Sequence, residues 1–312
     1  MSEVKFGLRI PAFPLTSSQG NQFRDEIFDF LSKLEGEYAS VWLADHFIPW
    51  FTKLNPLTDT LEAWTGLTYL AGKFESYDFG PIVLGQSYRN PALLAKMAST
   101  FQLMSGGRLI FALGAGWKED EYHAYGYEYP STATRIHQMG EAVQIIKKMW
   151  TETKATFHGK YYHIEEAICE PKPDPLPPIL IGGGGKKITL RYVAQYADWW
   201  NFPGGTVENY ADLLTALKGH CQEVGRNYEE IVKTWAIECV AVAATHQAAL
   251  EIAQASPLYD PQTAIVGTPD EVEQQLRRFT DLNVEYFIFR FADFPETDMA
   301  KLFVQEVAPR FK

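Results

Sequence analysis

The feature that most constrains the fold is a repeated alternation of short apolar runs with segments of helical spacing. The runs lie at 4–10, 39–47, 77–84, 109–113, 179–181, 198–202, 232–243 and 286–291. Each precedes a segment whose apolar residues recur every three to four positions, as in Phe23–Leu34, where residues 23, 27, 28, 30, 31 and 34 are apolar. The runs do not alternate apolar with polar, so both faces of each strand are buried, which is the signature of a parallel sheet covered by helices. Eight such units predict a closed (β/α)8 TIM barrel of the α/β class; about 250 core residues and an insertion fit the length. A doubly wound open sheet is the competing architecture, but it places its phosphate glycines after the first strand. The alternation pauses after the fourth strand. Residues 117–176 hold a long helix near 134–150 and a hairpin, ATFHGKYYHI, turning at His158-Gly159. We therefore expect a single domain over 1–312 with an insertion at about 117–176.

Helix signals are clear at two places. Pro91 opens one helix where a missing N–H costs nothing, and Ser105-Gly106-Gly107 ends it. Thr268-Pro269-Asp270-Glu271 reads as a cap with proline at the first helical position and acids in the first turn.

The glycine run is the strongest local pointer to a ligand. Pro177-Pro178-Ile179-Leu180-Ile181 leads into Gly182-Gly183-Gly184-Gly185-Lys186-Lys187 and a helix. A strand ending in glycines at a helix start gathers bare backbone N–H groups, a seat for a phosphate. A ligand-free flexible turn is the other reading. Four successive glycines cost conformational entropy, which favours the ligand. The run is neither a dinucleotide-binding G-x-G-x-x-G in its proper setting nor a P-loop.

Composition excludes several partners. The net charge is −11 with no basic cluster, which argues against nucleic acid and anionic membranes. Cys169, Cys221 and Cys239 are odd in number and widely spaced, so neither a disulfide framework nor a zinc site is expected. The opening MSEVKFGLRI lacks a leader pattern, and no apolar run approaches a membrane span. The expectation is a soluble cytoplasmic protein with a small-molecule substrate and no metal.

In a barrel the site forms where strand C-termini meet. That rule selects Asp45 and His46; Gly85, Gln86 and Ser87; Gly114, Ala115, Gly116 and Trp117; Gly182 to Gly185; Asn201; and Arg290. The set has too few His and Asp for a metal-dependent hydrolase. It offers one carboxylate where a glycosidase needs two, and no nucleophile elbow. Glycine-rich backbone, one histidine and the aromatics Trp42, Phe47, Trp50, Trp117, Trp199 and Trp200 suit a flat, phosphate-tailed heterocycle. Each residue also has a plainer reading. Asp45 can be a surface turn and Trp50 a hydrophobic plug. Trp199 and Trp200 can be core, Arg290 an ion pair or an anion contact, and Tyr88-Arg89-Asn90 packing and capping.

Several stretches resemble the bacterial luciferase-like flavin and deazaflavin oxidoreductases: VWLADHF (41–47), YRNPALLAKMASTFQLMSGGRLIFALGAGW (88–117), FHGKYYHI (157–164), PPILIGGGG (177–185) and YADWWN (196–201). With LEAWTGL (61–67) and EYHAYGYEYPS (121–131), the resemblance is closest to a subgroup of probable coenzyme F420-dependent enzymes. It implies an eight-stranded barrel with an insertion, a homodimer, and F420, or alternatively FMN, at the C-terminal mouth. It implies His46, Asp45 and Trp50 as catalytic residues, with His46 and Asp45 beside the coenzyme ring. The coenzyme contacts would be Asp45, Gly85, Gln86, Ser87, Gly114, Gly116, Trp117, Gly182, Gly183, Gly184 and Gly185. The run 182–185 would take the tail phosphate. The F420 sugar-phosphate dehydrogenases have a glutamate where this chain has Trp117, which counts against that reaction. The resemblance also implies a non-proline cis peptide near Gly85–Gln86. Hydride transfer with F420 is the leading function. FMN-dependent monooxygenation, a non-catalytic flavin-binding barrel and a metal-dependent hydrolase are the alternatives.

Overall fold

The computed structural model describes residues 3–51 and 54–312. Met1 and Ser2 of the segment read for a leader, and Thr52 and Lys53, lie outside the described residues. In chain order the elements are β1 (Lys5–Arg9), α1 (Asn21–Lys33), β2 (Ser40–Leu43), α2 (Ala63–Lys73), β3 (Asp78–Pro81), β4 (Leu84–Gly85), α3 (Pro91–Met104) and β5 (Phe111–Gly114). Then come α4 (Glu119–Ala124), α5 (Thr132–Thr151), the hairpin β6 (Ala155–His158) and β7 (His163–Ala167), β8 (Ile179–Gly182), α6 (Thr189–Tyr196), β9 (Trp199–Pro203) and α7 (Val207–Val224). The chain closes with β10 (Val232–Val242), α8 (His246–Ala255), β11 (Ile265–Gly267), α9 (Pro269–Thr280), β12 (Val284–Phe291) and α10 (Asp298–Glu306).

The parallel sheet runs β3-β2-β1-β12-β10-β9-β8-β5-β4, with β11 added against β10. A bridge between Phe79 and Leu109 brings β3 back to the chain entering β5, so the sheet curls into the expected barrel. The third apolar run is split. β3 pairs with β2, whereas β4 pairs with β5. The non-proline cis peptide lies in this break, at Ile82–Val83, rather than near Gly85–Gln86 as the resemblance implied. The hairpin pairs His158 with His163, so its turn spans 159–162, and β11 and α4 are elements the periodicity did not announce.

Side chains inside the barrel form their own cluster of Trp42, Ile82, Ile110, Ala112, Leu180, Ala236, Tyr286 and Ile288. The alternation along a strand decides membership: on β2, Ser40 and Trp42 point inward while Val41 and Leu43 join the outer core under the helices. Space for the indole comes from glycine. A Cβ on Gly80 would stand 2.4 Å from the Trp42 ring, and one on Gly7 2.7 Å from its Nε1. Trp42 and Trp200 are fully buried in these cores, and Trp199 packs against the inner one, so none is a mouth aromatic. Helix starts follow their caps. Asn90 accepts from Ala92 N–H ahead of Pro91, and Thr268 and Glu271 form a reciprocal capping box.

Candidate active site

The strand C-termini surround a cavity of about 560 Å³, within the range of small-molecule and cofactor sites. Its wall includes Asp45, His46 and Trp50 after β2, Ile82 to Gly85 across the β3–β4 break, Gly114 to Trp117 after β5, Gly182, Gly183 and Gly185 after β8, and Asn201 on β9. Among the described residues no cluster of three or more His, Cys, Asp or Glu could hold a metal ion.

His46 is the best-positioned titratable group. Its Nδ1 lies 3.0 Å from Glu121 Oε2, and the Glu121 side chain is fully buried. The same carboxylate accepts from Phe47 N–H at 2.6 Å, Ile48 N–H at 3.1 Å and the Tyr88 hydroxyl at 2.7 Å. Burial pushes the Glu121 carboxyl up, but His46, Tyr88 and the Phe47 N–H outweigh it and hold it below its ordinary value. Burial and the same carboxylate push the Tyr88 phenol well up, so it stays a neutral donor. An ionised carboxylate only accepts, so the Glu121 bond requires the proton on His46 Nδ1. Nε2, which no described residue hydrogen-bonds, is left as the working nitrogen on a ring that lines the cavity. Trp50 packs against that ring at 4.6 Å between centroids, and Trp117 meets it edge-on at 5.5 Å.

Asp45 has a different office. Arg89 grips it at 2.8 and 2.9 Å through both oxygens, and Gly85 N–H donates to it at 2.9 Å. Arg89 also bonds Glu62, which caps α2 by accepting from Trp64 and Thr65 N–H. Burial pulls the Arg89 guanidinium down, but Asp45 and Glu62 more than reverse it and raise it above its ordinary value. Asp45 is 4% exposed, so the surface-turn reading fails, and through Gly85 N–H it ties the end of β2 to β4.

The other expected contacts divide. Gly85, Gly114, Gly116, Trp117, Gly182, Gly183 and Gly185 line the cavity, as does Thr189 at the start of α6, which has no side-chain cap of its own. Gly183 has φ +124°, a conformation open to glycine. A Cβ on Gly185 would meet Thr189 Oγ1 at 2.6 Å. Gly184 instead makes room for Phe202 and Leu213, its Cβ position lying 2.6 Å from the Phe202 ring. Gln86 is buried and fully engaged: its amide donates to Ser87 and Gln138, and its oxygen accepts from Tyr162. Gln86 and Ser87 therefore sit behind the lining. Arg290 forms an ion pair with Glu238 at 2.6 Å.

Glu121 and Glu238 escaped the sequence reading, and Arg89 was read there only as packing and capping. Glu121 stands in the acidic run Glu119-Asp120-Glu121, and its partners are 33 to 75 positions away. For Glu238 a signal existed: an acid within the otherwise apolar stretch 235–242 of β10.

A family model described as luciferase-like monooxygenase matches residues 35–261. An F420-dependent glucose-6-phosphate dehydrogenase from Amycolatopsis mediterranei (strain U-32) is 25% identical over 304 residues, spanning 88% of this chain and 90% of that one. Among solved structures, an F420-dependent secondary alcohol dehydrogenase in complex with an F420-acetone adduct matches with TM-score 0.82 and 19% identity over 99% of each chain. A monooxygenase from Streptomyces bottropensis matches with TM-score 0.80 and 17% identity, covering 99% of this chain and all of that one. At those identities the two structures speak for the fold. Among the described residues, no helix is long and apolar enough to cross a membrane.

Proposed function

The chain belongs to the luciferase-like monooxygenase family, and from that premise we propose that it is an oxidoreductase that uses coenzyme F420 for hydride transfer to or from a small organic substrate. The observation that carries the reading is His46, held by buried Glu121 with Nε2 free, at a cavity walled by glycine backbone. The cavity fits a flat ring with a phosphate tail. The segment Ile82–Gly85 and Gly114–Gly116 present backbone and small apolar surface for the ring, and Gly182, Gly183 and Gly185 with Thr189 form a cradle that side chains would fill.

When bound, F420 supplies two-electron hydride chemistry at its deazaflavin ring. His46 handles the accompanying proton: neutral, its Nε2 takes the proton of a substrate hydroxyl; protonated, it returns one to a carbonyl oxygen. Glu121 holds the Nδ1 proton, keeps the tautomer and stabilises the imidazolium form. Trp50 and Trp117 flank the imidazole and keep water from it. Asp45, through Arg89 and Gly85, positions β2 against β4, and so sets His46 relative to the ring-binding wall. The protein works in the cytoplasm as a homodimer without nucleic-acid partners. Exposed Leu93, Leu103 and Met104 on α3 support self-association, which sedimentation would test.

Spectral titration of the purified protein with F420 and with FMN tests the reading. Stoichiometric F420 binding at micromolar concentration is expected. Tight FMN binding with oxygen consumption would instead establish the monooxygenase reading, and failure of both coenzymes to bind would overturn the proposal.

A further inference from the structure

A second charged cluster reaches the same cavity through Arg9 and Glu238. Arg9 on β1, Arg290 on β12 and Glu238 on β10 come from three adjacent strands and stand one layer above the inward-facing Ala236 and Ile288. Arg9 Nη1 is 2.5 Å from Glu238 Oε1, close enough for an ion pair though not angled as a hydrogen bond, and Arg290 Nη1 donates to Glu238 Oε2 at 2.6 Å. Trp50 lies 6.0 Å from one guanidinium and 5.8 Å from the other.

The charges do not balance. Two guanidinium groups, 7% and 1% exposed by residue, share one carboxylate. Asp45, the other carboxylate on the cavity wall, shares Arg89 with Glu62 and makes no contact with either of these guanidinium groups, so within the cluster the surplus stands. Buried charge without a counter-charge is costly. The donors are also unspent. Arg9 Nε and Arg290 Nε and Nη2 are sealed from solvent without partners. Arg9 Nη2 is neither bonded by a described residue nor among the sealed atoms, and Arg9 lines the cavity. An anionic ligand group there would gain a charge-assisted hydrogen bond and cancel one surplus positive charge. A carboxylate supplies one negative charge; a phosphate dianion would leave a surplus of the opposite sign.

We propose that Arg9 is a specificity-determining residue that binds a carboxylate on the substrate, with the reacting carbon directed toward His46. This rests on the reading of the cavity as the shared coenzyme and substrate site. Arg290 holds Glu238 and is a positioning residue.

Isothermal titration with acetate, propionate and benzoate, each against its neutral amide at constant ionic strength, tests the assignment. It is run on coenzyme-free and F420-saturated protein, for wild type, Arg9→Gln and Arg9→Lys, with thermal melts as the folding control. Arg9→Gln leaves a neutral Arg290–Glu238 pair, so the fold is expected to survive. At least one acid should bind wild type ten-fold or more tighter than its amide. The preference should vanish in Arg9→Gln and partly return in Arg9→Lys. No acid preference in wild type, or one that persists in Arg9→Gln, overturns the proposal. Loss of acid binding on saturation with F420 also overturns it, by giving Arg9 to the coenzyme. F420 binding without acid preference rejects the carboxylate site alone; acid preference without coenzyme binding rejects the coenzyme reading alone.

Discussion

Replacing Glu121 with glutamine changes one atom and inverts the polarity of the His46 site. The amide oxygen can keep the Phe47 and Ile48 N–H groups. The amide nitrogen then faces the Tyr88 hydroxyl and His46 Nδ1, and it can only donate. Nδ1 must become an acceptor, so the ring proton moves to Nε2. Four bonds survive without charge assistance, worth about 1 kcal/mol each, or roughly 4 kcal/mol at most. Relief from burying a charge returns part of this, for a net loss of about 2 kcal/mol. Because the folded-state carboxyl is held below its ordinary value, wild type has the advantage above about pH 4.3 and loses it as pH falls below. Denaturant unfolding at several pH values reads the energy. Nitrogen-15 NMR of the imidazoles reads the tautomer, with His46→Gln assigning the signal among seven histidines. Turnover, once a substrate is in hand, should fall by about 10²–10⁴. An unchanged tautomer in Glu121→Gln would refute the reasoning outright.

Other perturbations address separate links. Gly183→Val places a branched residue at φ +124° in the cradle; it should weaken F420 binding at least ten-fold in a spectral titration and lower stability by about 1–3 kcal/mol, and unchanged affinity would remove the cradle assignment. Gly80→Ala drives a methyl into Trp42, so unfolding free energy should drop by about 1–3 kcal/mol or more, and Trp42→Phe in the same chain should recover part of it. Burial pushes the Asp293 carboxyl up to about 6, so folding loses stability as pH rises from about 4 to about 6. Asp293→Asn keeps an acceptor for Met299 N–H and should be about 1–3 kcal/mol more stable than wild type at pH 7, with the gain gone below pH 4. A pH-independent difference would mean that Asp293 acts otherwise.

The barrel was legible because buried parallel strands and their covering helices leave two distinct periods in the chain. Pro91 and Thr268-Pro269 marked helix starts that the structure reproduces. The place after a strand selected His46 and the resemblance added Trp50, and both lie on the cavity wall. Their supports were hidden, since Glu121 and Arg89 act across the mouth and a lone sequence does not show which acid or arginine turns inward. The third apolar run read as one strand because Asp78–Gly85 is mostly apolar throughout; only the pairing partners reveal that β3 and β4 belong to different neighbours. β11 is three residues long, too short for a period to register.

A structure determined with F420 bound tests the central claim most directly. The account predicts the deazaflavin ring within about 4 Å of His46 and of the Ile82–Gly85 segment, with the tail phosphate on Gly182–Gly185 and the start of α6. A ring seated away from His46, or a tail that leaves the glycine cradle empty, would contradict it.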